Sequence, residues 1–201
     1  FDRSIEGLLA QNNFPEDPDL ETLARYFEWP QTGNIEIPPA GNVRDHVGWH
    51  LMGYIHPPET GEYIFAVATD DNSQLWLSTD SDPANAVQIT NESTWLGVRN
   101  FQSQDDESTS EPIFLEEGKV YFIECIANEG DGGDNMAVAW SLPSDGGADV
   151  EPGALPISGE YLSPFKWTGP EIPELVGKSP SGVLGVNDYT VSVSLNNGLN
   201  V

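Results

Sequence analysis

The sequence predicts an all-β chain, folded as an antiparallel β-sandwich or barrel. Three observations carry that expectation. Short runs of β-branched and aromatic residues recur through most of the chain. Clusters of Pro, Gly, Asp and Asn punctuate them with turn chemistry. Helical signals are sparse, and neither an internal repeat nor a strand–helix alternation points to a parallel sheet.

From the amino terminus, Asp19 to Phe27 offers an N-cap candidate and an acidic first turn, so it is either a short helix or a turn leading into a strand. Strands are expected at Val47–Ile55, Gly61–Thr69, Gln74–Ser78, Ala86–Ile89, Ser110–Leu115, Lys119–Asn128 and Met136–Leu142. Between them stand turn formers such as Pro57-Pro58-Glu59-Thr60-Gly61, Asp80-Ser81-Asp82-Pro83 and Glu116-Glu117-Gly118-Lys119. Ser144–Gly153 reads as a surface loop, and Tyr161–Phe165 adds one more apolar segment. Residues 1–168 are therefore expected to form one domain. Residues 169–201 begin with a proline-bearing linker or edge segment. The period-two stretch Asp188–Leu195 is either a final strand or the start of a following domain.

At 201 residues and 38% hydrophobic content the chain can build a real core. Thirty-three acidic against seven basic residues give a formal net charge of −26, which excludes nucleic acid and anionic membranes as partners. Such self-repulsion is relieved by salt or bound cations, so the composition fits a secreted or cell-surface protein in salty or calcium-containing surroundings. No apolar run approaches the roughly 18 residues of a membrane helix. The first residues carry no signal-peptide pattern, and a start at Phe1 reads as a mature piece. Cys125 stands alone in an apolar run, so an internal disulfide is impossible and the thiol is expected to be a buried small hydrophobe.

Two polar clusters interrupt good strands. Asp70-Asp71-Asn72-Ser73 separates Tyr63–Thr69 from Leu75-Trp76-Leu77. Adjacent side chains of an extended strand point to opposite faces, so this pair either solvates a turn or sits on backbone bent to aim both carboxylates at one cation. The second cluster, Asn128-Glu129-Gly130-Asp131-Gly132-Gly133-Asp134-Asn135, combines hard oxygen donors with glycines that let carbonyl oxygens turn inward. Its spacing is not that of an EF-hand, and a solvated hairpin loop is the other reading.

Taken in order, these segments resemble the PA-14 domain family, a β-sandwich module found in adhesins, flocculins and glycan-active enzymes. The likeness runs from about Phe1 to Phe165. It rests on Gly53-Tyr54-Ile55 with Pro57-Pro58, Thr60-Gly61-Glu62-Tyr63, Asp70-Asp71-Asn72-Ser73, Gly118-Lys119-Val120-Tyr121, the Glu129–Asn135 loop and Leu162-Ser163-Pro164-Phe165. In lectin members the paired aspartates are joined by a cis peptide and share one Ca2+. The resemblance implies the same for Asp70 and Asp71. It implies further ligands from the second loop, partly through backbone oxygens. Glu129 and Asp134 stand where many members carry Glu and Asp, whereas Asp131 replaces a common glycine. The metal set implied is thus Asp70, Asp71, Glu129, Asp131 and Asp134. Asp70, Asp71, Asn72, Trp95, Gly130, Gly132 and Gly133 are expected at the ligand.

The function implied is calcium-dependent carbohydrate binding by a monomeric module of a larger adhesin, without catalysis and without membrane insertion. The glycans would offer neighbouring hydroxyls to the ion. Two other functions stay open: a calcium-stabilised structural module, and an accessory domain of a glycan-active enzyme. Trp95 reads as a core or loop anchor before a sugar platform, and Asn72 as a turn cap before a ligand contact. Other signals are weak. His46 and His50 share metal-like spacing without a third ligand. Gly177-Lys178-Ser179 lacks the first glycine of a phosphate loop. Asp80 and Asp82 before Pro83 read as a turn, with a secondary calcium site as the alternative. Asn91-Glu92-Ser93 is a glycosylation sequon by pattern alone.

Overall fold

The computed structural model describes residues 4–12, 14–15, 17–18, 20–39, 45–103, 107–165 and the backbone of 189–194. Helix α1 spans Ile5–Leu9. The strands are β1 (Leu20–Ala24), β2 (Glu28–Trp29), β3 (Val47–Ile55), β4 (Gly61–Asp70), β5 (Asn72–Ser78), β6 (Ala86–Glu92), β7 (Ile113–Leu115), β8 (Tyr121–Glu129), β9 (Asn135–Ser141), β10 (Leu162–Pro164) and β11 (Tyr189–Ser194). They form two antiparallel sheets, one ordered β1-β11-β3-β8-β5-β6 with β10 also on β3, the other β2-β9-β4-β7. The expected β-sandwich is present.

The strands β4 and β8 position everything that follows, and their sequences say why. Both are apolar on successive residues because both of their faces are covered. Tyr63, Phe65 and Val67 of β4 and Ile123, Cys125 and Ala127 of β8 point into the core between the sheets. Ala66 and Ala68 face the other way, under Leu96, Phe101 and Val150 of the long loops. Ile126 of β8 is covered by Ile5, Leu8 and Phe14. Helix α1 lies close enough that a Cβ on Gly48 of β3 would meet Leu8 Cδ1 at 2.2 Å, so a larger residue there would have to displace the buried Leu8 side chain. Cys125 is buried, as expected.

Several boundaries differ from expectation. Leu20–Ala24 is a strand, which settles the Asp19–Phe27 alternative against a helix. The helix lies earlier, where five residues are too few to display a period; Ser4 caps it by accepting from Gly7 N–H at 3.0 Å. Strand β7 is only Ile113–Leu115, because Pro112 lacks the N–H that would continue the ladder. Strand β11 lies between β1 and β3, with Val191 opposite Leu51 and Thr22. Residues 168–179, including Gly177-Lys178-Ser179, lie outside the described residues.

Candidate metal and ligand site

Five strand ends meet at one end of the sandwich. The registers place Asp70 opposite Asn135, Asn72 opposite Asn128, and Val47 opposite Glu129. The Asp70–Asp71 peptide is cis. Carboxylate oxygens of Asp70, Asp71 and Glu129 lie within 4.8 Å of one another, the arrangement expected of a cation-binding group. Backbone hydrogen bonds fasten the two clusters together. Asp71 N–H donates to Asn128 O at 3.2 Å, and Gly130 N–H donates to Asp71 Oδ2 at 2.9 Å. Asn135 Nδ2 donates to Ala68 O at 3.2 Å and to Leu96 O at 3.1 Å, which ties the loop after β6 to the same corner.

The electrostatics are unbalanced. Glu129 is fully buried, and neither of its carboxylate oxygens has a hydrogen-bond partner. Among the described residues, none of the three carboxylates is ion-paired to a Lys, Arg or His. Burial first, then the charges of Asp71, Asp70, Asp134 and Asp45, pushes Glu129 up to about 9. Burial, with Asp71 and Asp134, raises Asp70 to about 6. Two like charges about 4 Å apart near a surface repel by about 4 kcal/mol, so a trio of ionised carboxylates needs a counter-charge.

The remaining expected residues divide. Asp134 is buried, and its charge acts on both Asp70 and Glu129. Asp131 points elsewhere: it is exposed, and its Oδ1 lies 3.3 Å from His46 Nε2. Gly130 is buried and Gly133 half-buried. Gly132 is exposed at φ +120° with open space where a Cβ would stand, so this rim position favours glycine on conformational grounds. Asn72 is half-buried at the start of β5. Trp95 is 63% exposed, which removes the core half of its reading as a core or loop anchor, and its backbone bridges Asp70.

Sequence reasoning missed two supports. Asp45 Oδ1 accepts from Gly132 N–H at 3.2 Å, and His46 N–H donates to Gly130 O at 2.9 Å, so a short hook before β3 holds the glycine loop. His46 and His50, whose metal-like spacing lacks a third ligand, take separate partners: His50 pairs with Glu124 at 2.6 Å and His46 Nε2 lies 3.3 Å from Asp131. The second support is Arg99, which clamps Glu28 through Nε and Nη2, both at 2.7 Å, and fixes the loop that carries Trp95. Asp80 and Asp82 are engaged in turn hydrogen bonds, Asp82 accepting from Ala84 N–H at 3.0 Å.

A family model described as PA14 domain matches residues 9–153, well over half of the chain. The chain belongs to the PA14 domain family. The N-acetyl-beta-glucosaminyl-glycoprotein 4-beta-N-acetylgalactosaminyltransferase 1 of Mus musculus is 34% identical over 98 residues, covering 46% of this chain but only 9% of the transferase. Among solved structures, the epithelial adhesin 6 A domain of Candida glabrata in complex with Galb1-3GlcNAc has 15% identity and a TM-score of 0.40, covering 68% of this chain and 66% of that one. The epithelial adhesin 9 A domain of Candida glabrata in complex with Galb1-4GlcNAc has 15% identity and a TM-score of 0.37, covering 53% and 54%. In this PA14 domain the carboxylate trio, the glycine rim and the exposed Trp95 all lie at one corner.

Proposed function

We propose that this PA14 domain is a calcium-dependent carbohydrate-binding module of a secreted or cell-surface adhesin. The observation that carries the proposal is Glu129, fully buried with both oxygens unpartnered beside two more carboxylates. The donor set fits Ca2+: it is hard oxygen throughout, with no Cys or His in the trio. Asp70, Asp71 and Glu129 would hold the ion, with Asp134 close by and backbone oxygens of the glycine loop available. Bound Ca2+ accepts six to eight oxygens, more than these side chains supply, and so offers positions to two neighbouring sugar hydroxyls.

This chain's own residues would do the rest. Gly130, Gly132 and Gly133 keep the rim low enough for a ring to approach backbone. Trp95 presents an exposed aromatic face beside Asp70, suited to the apolar face of a sugar. Asn72 offers an amide at the same edge. Affinity per site should be modest, since a sugar is small and well hydrated, and repetition on a surface would raise it by multivalency. Glycoside hydrolysis suits this corner poorly, because its two carboxyls flank a scissile bond rather than converge on one point.

The test is a glycan array read in calcium and in chelator, with wild type and Asp70→Asn. Binding in calcium that disappears in chelator and in the variant supports the proposal. Equal binding in chelator, or none across a broad array, overturns it. A calcium-stabilised structural module is then the better account if calcium still raises the melting temperature.

A further inference from the structure

Beside the carboxylate corner the sandwich carries a second concave surface, on β5 and β6. It is a cleft of about 320 Å3, at the lower end of the roughly 300–1,000 Å3 typical of small-molecule sites. The start of α1 borders it through Glu6, while Asn72, Gln74, Gln88, Asn91 and Ser93 line the sheet side. Gln74 lies directly opposite Asn91 in the β5–β6 register. Gln88 Nε2 donates to Asn91 Oδ1 at 3.1 Å, and Asn91 Nδ2 donates to Glu107 Oε2 at 3.3 Å, so this amide is held in one orientation. Gln74 is half-buried, and its side chain makes no hydrogen bond among the described residues.

The chemistry of the lining is specific. A side-chain amide carries two donors and an acceptor, which complements a ring of hydroxyls that both donate and accept. Asn is disfavoured in strands, so strand stability gives no reason for placing Asn72 and Asn91 here. The charged residues of the cleft, Glu6 and Glu92, are both acidic, which disfavours an anionic ligand. Asn72 follows Asp71 directly, so the cleft begins where the carboxylate cluster ends.

We infer that this cleft is a second sugar subsite, taking a further neutral ring of an oligosaccharide whose first ring is held at the carboxylate corner. It rests on the glycan-binding function proposed above and deepens it. The subsite makes the domain a reader of chain linkage as well as of the terminal sugar, because only some linkages carry the second ring from Asp71 towards Gln74.

The experiment is calorimetric titration in calcium with methyl β-galactoside, methyl α-mannoside and methyl α-glucoside. Each is compared with a linear tetrasaccharide: β1-4 galactotetraose, α1-2 mannotetraose or maltotetraose. Wild type should bind one tetrasaccharide at least about tenfold tighter than the matching methyl glycoside. The double variant Gln74→Ala, Gln88→Ala should lose about tenfold of that advantage, with calcium affinity and methyl-glycoside affinity unchanged. Gln88→Ala alone, at an exposed strand position, keeps the melting temperature of wild type and loses about threefold. Equal affinity for short and long ligands in wild type overturns the subsite while leaving the calcium site standing, as does an undiminished advantage in the double variant. Wild type that binds none of the six probes, nor any glycan on an array, overturns both readings.

Discussion

Glu28 and Glu129 are both fully buried at the end of a strand, and the fold answers them in opposite ways. Glu28 meets the guanidinium of Arg99 in a two-pronged contact, each prong 2.7 Å. Glu129 meets Asp70 and Asp71. The first carboxylate is neutralised from within the chain and belongs to the architecture. The second is left with excess negative charge that only a proton or a cation can offset. Burial alone does not mark a functional acid; burial among like charges does.

The largest effect is expected where the internal pair is broken. Arg99→Met leaves Glu28 buried and unpaired, which should cost about 3–5 kcal/mol in urea unfolding. A loss under about 1 kcal/mol would mean that Glu28 finds another partner, and the contrast with Glu129 would collapse.

Next in size is the cation itself. Calcium at a hundredfold excess over its dissociation constant should stabilise the wild type by about 2.7 kcal/mol. Asp70→Asn, which keeps size and removes charge, should abolish most of that gain and weaken calcium in calorimetric titration. Unchanged calcium affinity in this variant would detach the ion from the carboxylate trio.

A third effect concerns protons. Asp70 rises from 3.8 to about 6 and Glu129 from 4.5 to about 9 on folding, so between about pH 4 and 9 the folded state holds more protons than the unfolded one. Without metal, stability should therefore fall as pH rises through that window. Calcium should flatten the slope, since it replaces the protons. Glu129→Gln should also flatten it, without calcium. Urea midpoints measured at several pH values, in chelator and in calcium, check both; an identical slope in the variant would show that Glu129 titrates normally. The smallest effect is at the rim. Trp95→Ala should lower sugar affinity about tenfold while moving neither the melting temperature nor calcium affinity, as befits an exposed side chain.

Much of the architecture was legible because it depends on local pattern. The continuous apolar runs of β4 and β8 announced strands covered on both faces, and their acidic termini announced a shared corner. What escaped depends on distant partners. Glu28 and Arg99 are 71 residues apart, and nothing near either residue in sequence identifies the other. Asp45 holds the glycine loop through its side-chain Oδ1 and His46 through its backbone N–H, both meeting distant backbone groups that no local pattern identifies. Trp95 read as a core or loop anchor from its residue type alone; its exposure follows from the tertiary path of the loop, in which Leu96 and Phe101 turn inward. Asp131 fitted a ligand pattern by composition, yet the loop turns it towards His46.

The edge of β3 that faces away from β8 is shared in tandem, by β11 along Gly48–Leu51 and by β10 along Gly53–Ile55. Its other edge waits for residues 121–129. A strand formed early in the sequence thus finds all its neighbours far downstream. Closing such long loops must precede the contacts that reward it, so the nucleus of this sheet assembles late and all at once, on the millisecond-to-second scale of high-contact-order β proteins. Until then β3 is an unpaired apolar strand, the segment whose exposure a chaperone must manage.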